Sequence, residues 1–136
     1  MIYIYPDFYF DFQCKADKCL HSCCKNWEID IDDESISRFK NLPENESAEI
    51  FANIQDMDGS CFKLKDDGCC PFLEESGLCR LIKKYNEDFV PYICREHPRF
   101  YNEYETYCEC GLGLSCEETV SLICEEDYLD YIFHVK

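Results

Sequence analysis

Thirteen cysteines in 136 residues, four of them in Cys14-x4-Cys19-x3-Cys23-Cys24, constrain this chain more than any other feature. At this density, cross-linking by disulfides or metal ions becomes an organising principle of a fold. The adjacent pair sharpens the constraint. Neighbouring side chains in extended backbone point opposite ways, so Cys23 and Cys24 are not expected to bind one mononuclear ion together. Either one ligates while the other packs, or the two serve separate sites or a multinuclear centre.

Redox compartment separates disulfides from metal thiolates. The N-terminus, Met1-Ile2-Tyr3-Ile4-Tyr5-Pro6-Asp7, has no basic region, long apolar run or small-residue cleavage site, so no secretory leader is expected. No stretch approaches the ~20 apolar residues of a membrane helix. An odd cysteine count suits a purely disulfide framework poorly. The expectation is a reduced, cytoplasmic metal-thiolate protein, with a secreted disulfide-stabilised protein as an alternative. The formal net charge of −16 argues against nucleic acid as a partner, because phosphate binding needs a basic face. The acids are spread along the chain, which suits solubility; attraction to a lysine-bearing partner is the sharper reading.

The chain reads as a single domain over 1–136. Residues 2–12 suit a strand or an extended arm, with Pro6 arguing against a central strand. Trp27 to Ile31 alternates like a short strand. Asp32-Asp33-Glu34-Ser35 opens a helix with Ile36, Phe39 and Leu42 on one stripe, and Glu34 and Arg38 spaced for an ion pair. Pro43 ends it and opens a second helix over roughly 44–55, with Ile50 and Ile54 inward. Asp56 to Ser60 is a turn. Cys61–Lys65 and Cys69–Leu73 flank Asp66-Asp67-Gly68 as a hairpin. Helical turns follow over 78–85 and 91–96, then an extended segment from Tyr101 to Tyr107. A final helix is capped by Ser115 and Glu118, with Val120, Cys124, Tyr128 and Tyr131 as its apolar stripe. The expected fold is mainly α, with irregular segments and one or two short β-hairpins: a small metal-organised, cysteine-rich domain.

Thiolates suit tetrahedral zinc or iron–sulfur clusters such as 4Fe-4S. Candidate partners for the first cluster are spread over Cys70, Cys79, Cys94 and Cys116. Cys116 is placed in the first turn of a helix, where the dipole favours thiolate. Cys61, Cys69, Cys108, Cys110 and Cys124 are read as packing residues; His21, inside the first cluster, and His97, three residues after Cys94, are either ligands or, as the many competing thiolates favour, exposed or packed histidines. Gly111-x-Gly113 is weak as a nucleotide or S-adenosylmethionine signature. No catalytic residue stands out.

Four stretches carry a family resemblance: Phe12-Gln13-Cys14 through Cys23-Cys24-Lys25-Asn26-Trp27; Cys70-Pro71-Phe72-Leu73 through Gly77-Leu78-Cys79; Pro91-Tyr92-Ile93-Cys94-Arg95-Glu96-His97-Pro98-Arg99; and Gly113-Leu114-Ser115-Cys116. In this order they resemble the flagellin lysine-N-methylase family and, more broadly, zinc- or iron-chelating cysteine-rich proteins. The resemblance implies a metal set of Cys14, Cys19, Cys23, Cys24, Cys70, Cys79, Cys94 and Cys116. It also implies S-adenosylmethionine as methyl donor and a lysine-bearing protein such as flagellin as partner. His97 stands where the family would have an aromatic residue. The chain is much shorter than those enzymes, so a C-terminal region for substrate and methyl donor is expected to be lacking. The expected function is metal binding, structural or cluster-forming, with S-adenosylmethionine-dependent lysine N-methylation as the alternative.

Overall fold

The computed structural model describes residues 1–56, 59–125 and 131–135. In chain order the elements are β1 (Ile2–Pro6), α1 (Asp33–Lys40), α2 (Glu44–Ala52), β2 (Ile54–Asp56), β3 (Ser60–Phe62), α3 (Arg80–Lys84), α4 (Tyr92–Glu96), β4 (Arg99–Glu103), β5 (Tyr107–Leu112), α5 (Glu117–Glu125) and β6 (Tyr131–Val135). The described residues are therefore mixed α/β, where the sequence suggests mainly α. The chain divides into two compact units, Met1–Cys23 with Glu96–Lys136, and Cys24–Arg95.

The first unit is built on a four-stranded sheet of order β4-β5-β1-β6. β1 runs parallel to β5 and antiparallel to β6, and β4 and β5 pair antiparallel. Of the strand or extended arm expected over residues 2–12, Ile2–Pro6 forms a strand, and the expectation that Pro6 keeps it from a central place is corrected, because β1 is an interior strand. Pro6 is tolerated because it is the last residue of β1, beyond the stretch Ile2–Ile4 that pairs with β5. The extended segment expected near Tyr101 to Tyr107 becomes a hairpin, closed by Tyr104 N–H donating to the Tyr107 carbonyl at 2.8 Å. Phe100 lies opposite Gly111, where a Cβ would collide with the Phe100 ring. Tyr9, Phe12, Cys108, Cys110 and Leu112 form this unit's core.

Helix α5 meets its unit on a different stripe from the expected one. Thr119 is fully buried and Leu122 packs on the core, whereas Val120 and Cys124 are exposed. The segment is helical as expected, but Thr119 and Leu122, not Val120 and Cys124, set its inward phase. Tyr128 lies outside the described residues, and Tyr131 belongs to β6 rather than to the helix.

The second unit follows its sequence signals closely. Asp32 caps α1 by accepting the Ser35 N–H at 2.9 Å, and Arg38 reaches Glu34 at 2.9 Å. Pro43 precedes α2, which ends at Ala52, so Ile54 falls in β2 instead. Trp27 to Ile31 alternates in burial as expected but forms no strand, only an isolated bridge between Asp30 and Cys61. Ile29 and Ile31 are buried, and this segment bridges to β3 through Ile31 N–H to Ser60 O at 2.8 Å. Ser60–Phe62 takes β2 as its strand partner; the turn expected from Asp56 to Ser60 includes positions 57 and 58, which lie outside the described residues. The core gathers Ile29, Phe39, Ile50, Phe62, Phe72 and Leu81. Among the described residues, no helix is long and apolar enough to cross a membrane.

Candidate metal centre

In the first unit, a loop carrying Cys14, Cys19 and Cys23 is tied to the head of α5. Glu117 opens that helix and accepts the Leu20 N–H at 3.0 Å and the His21 N–H at 3.1 Å, linking positions up to 97 residues apart in sequence. Lys15 pairs with Glu118 on the next helical position. Cys116 immediately precedes the helix, and its carbonyl accepts the Val120 N–H at 3.2 Å. It thus occupies the flanking position of the helix rather than its first turn. Ser115, the expected cap, falls one residue earlier still, and the Glu118 carboxylate is engaged with Lys15. Cys116 still stands at the amino end of α5.

The loop is shaped for sulfur. Ala16, at φ 52°, directs its N–H to Cys14 Sγ at 3.4 Å. The Cys19 thiol is pushed up by burial and further by the charges of Glu117, Cys14, Cys116 and Cys23. Those four cysteines therefore share one electrostatic neighbourhood, and a cation placed there would offset the charges that act on Cys19.

In the second unit, Cys70 is the buried anchor. Cys70 N–H donates to the Cys24 carbonyl at 2.8 Å, and Asn26 N–H to the Gly68 carbonyl at 2.9 Å, so 24–26 and 68–70 form a short antiparallel ribbon. The expected Asp66-Asp67-Gly68 turn exists, closed by Gly68 N–H to Lys65 O at 2.8 Å, with Gly68 at φ 79°. It presents Cys69 and Cys70 to Cys24 and Lys25. Cys79 bridges to Leu73, and Arg80 N–H donates to Phe72 O at 2.8 Å, folding the Cys70–Cys79 segment back on itself. Cys94 lies on α4, whose first N–H, from Tyr92, donates to the Asp32 carboxylate at 2.8 Å. Cys24, Cys79 and Cys94 pack against the core cluster that contains Cys70. Burial pushes the Cys70 thiol up and the charge of Cys79 adds to this, while the Phe72 and Leu73 N–H groups and Lys65 pull it down.

The remaining cysteines follow no single pattern. Cys61, Cys108 and Cys110 are buried, and Cys108 and Cys110 face each other at 4.0 Å. Cys69 sits in the ribbon and Cys124 is exposed. His21 is exposed beside Glu117 at 3.5 Å, and burial lowers the pKa of the half-buried His97. No disulfide joins the cysteines in the described residues.

The donor chemistry fits a thiophilic metal: soft thiolates, backbone N–H groups aimed at sulfur, and a helix amino end beside them. Among the described residues, no group of three or more His, Cys, Asp or Glu side chains is arranged to hold a metal ion. The grouping is one of neighbouring elements, not of a closed coordination sphere. Glu117, Lys15 and Glu118, which hold the loop, are residues the cysteine spacing does not reveal. Acids directly behind Cys116 at a helix start are the only sequence signal for them.

Residues 13–109 match the CxxCxxCC family model, described as "Putative zinc- or iron-chelating domain". The chain is 28% identical over 131 residues to the flagellar biosynthetic protein FliU of Salmonella muenchen, covering 87% of this chain and 74% of that protein. It is also 28% identical over 125 residues to lysine-N-methylases of Salmonella choleraesuis and Salmonella typhimurium. That match covers 87% of this chain but 31% of each methylase, so the chain spans about a third of their length. No solved structure matches.

Proposed function

Since the chain belongs to the CxxCxxCC family of zinc- or iron-chelating domains, we propose that its eight motif cysteines, Cys14, Cys19, Cys23, Cys24, Cys70, Cys79, Cys94 and Cys116, bind zinc or an iron–sulfur cluster that organises the fold. The observation that carries this reading is the anchoring of the Cys14–Cys23 loop on the helix led by Cys116, through Glu117. Electrostatics supports it as well, since the charges of Cys14, Cys116, Cys23 and Glu117 that push up the Cys19 thiol would be offset by a cation. A bound metal would supply charge neutralisation and cross-linking, and metal binding and folding are then one process. The cysteines would draw together on binding, while Glu117 and the ribbon hold their backbones in register. The expected setting is the reducing cytoplasm, where thiolates persist.

Metal analysis of anaerobically purified full-length chain tests this. Brown protein with iron and acid-labile sulfide identifies a cluster, and colourless protein with stoichiometric zinc identifies structural zinc sites. Metal-free protein with few titratable thiols would overturn the reading in favour of a disulfide framework.

A second reading rests on the lysine-N-methylase relatives. In it the chain supports S-adenosylmethionine-dependent methylation of lysine on a protein such as flagellin. Calorimetric titration with S-adenosylmethionine discriminates, and the absence of detectable heat counts against methyl transfer by this chain alone.

A further inference from the structure

Resting on the metal-binding reading, we infer that the eight cysteines form two separate four-thiolate centres, an exposed one from Cys14, Cys19, Cys23 and Cys116 and a core-backed one from Cys24, Cys70, Cys79 and Cys94, which release metal at different rates. The division of the chain into compact units falls between Cys23 and Cys24 and sorts the eight cysteines four and four. The adjacent pair is thereby assigned. Cys23 shares the neighbourhood of Cys19, whereas the Cys24 carbonyl is bonded to Cys70 N–H and its side chain packs on the second unit's core. Four thiolates are a full tetrahedral set for one zinc ion, or one set for a cubane cluster, so neither centre needs a ligand from the other.

The two settings differ in access. In the first set Cys14 and Cys23 are exposed and Cys19 and Cys116 partly so; in the second, Cys70 is buried and the other three lie partly buried against the hydrophobic core. An open cavity of about 460 Å³ in the same unit is lined by His21, Ser115, Glu117 and Cys124, the lining including both sequence neighbours of Cys116. A chelator therefore reaches the first centre directly. At the second, Cys70 is buried and the other three thiols pack on a core that includes Phe72 and Val90, so ligand exchange there has to disturb more apolar packing. The first centre is the exchangeable one and the second the permanent staple.

The test uses the full chain reconstituted with Zn²⁺ and followed by zinc release to a colorimetric chelator. The expected result is two equivalents per chain, released as a fast and a slow phase of about one equivalent each. Cys14→Ser and Cys116→Ser should each retain one equivalent and lose only the fast phase. Cadmium-substituted protein should give two cadmium NMR resonances, with only one remaining in either variant. One equivalent in total, a single phase, or loss of all metal from Cys116→Ser while its circular dichroism stays native, would overturn the two-centre assignment and leave metal binding standing. Failure of the wild type to bind zinc, cadmium or iron overturns the metal reading itself. Because both variants lie in the exposed centre and the release kinetics are read on the wild type, the outcome does not depend on a core variant folding.

Discussion

Asp32 links the capping of α1 to the placement of Cys94, and removing it tests whether the second unit is held as described. Its carboxylate accepts the Ser35 N–H at 2.9 Å, the Ser35 hydroxyl at 2.8 Å and the Tyr92 N–H at 2.8 Å. Burial alone would raise its pKa, but these donors outweigh it and hold the carboxyl at about 2, against an ordinary 3.8. Loss of the cap costs about 1 kcal/mol. Loss of a hydrogen bond to a charged but partly exposed carboxylate adds about as much again. Asp32→Ala should therefore destabilise by about 2 kcal/mol, lowering the urea midpoint at pH 7 without changing its slope, or the melting temperature by about 8 °C. Asp32→Asn keeps an acceptor and should recover about half of the loss.

The pH dependence has a fixed sign. A carboxyl whose folded pKa lies below its unfolded value stabilises above the unfolded value, and that contribution is lost as pH falls toward the folded one. The stability gap between wild type and Asp32→Asn should therefore shrink between about pH 4 and about pH 2. Metal content is measured alongside, so that the two proteins are compared at equal occupancy. An Asp32→Ala protein within ~0.5 kcal/mol of wild type, or a gap that stays flat over that acid range, would refute the reasoning.

Three further outcomes follow from the same contacts. Phe39 is fully buried among Phe62 and Phe89, so Phe39→Ala should cost about 3–5 kcal/mol in urea unfolding. Gly68→Ala should destabilise by about 1–2 kcal/mol and lower metal retention on desalting, because position 68 has φ 79° and an added Cβ meets the Asn26 side chain in the ribbon; unchanged metal content would show that the ribbon does not govern ligand placement. Cys94→Ser, or chelation of the wild type, should abolish cooperative thermal unfolding, whereas a melting curve like that of untreated protein would separate folding from metal.

Much of the second unit is legible from local chemistry. Asp32 as cap, the Glu34–Arg38 pair, the Pro43 boundary and the alternation of Trp27 to Ile31 depend on residues one to four positions apart, and they occur where the pattern puts them. The first unit is less legible because its sheet is non-local. β1 gains its interior place from β5 and β6 more than a hundred residues away, a pairing that no periodicity within residues 2–12 encodes. Aromatic alternation there is compatible with an arm or an edge until the parallel partner is known. The α5 stripe went astray for a related reason: period gives a helix, but only the surface it meets decides whether Thr119 or Val120 turns inward.

The cysteines divide along the same line. The sequence by itself made thiols the candidate organising groups, marked eight of them by resemblance to a family pattern, and made Cys23 and Cys24 unsuited to one ion. Only the tertiary structure decided which thiols keep company, by hanging the Cys14–Cys23 loop on Glu117 and stitching Cys24 to Cys70. Ligand type is a property of the side chain, fixed by chemistry at each position. Ligand grouping requires closing loops of tens of residues, and backbone hydrogen bonds and buried apolar surface far from the sulfurs determine which loops close.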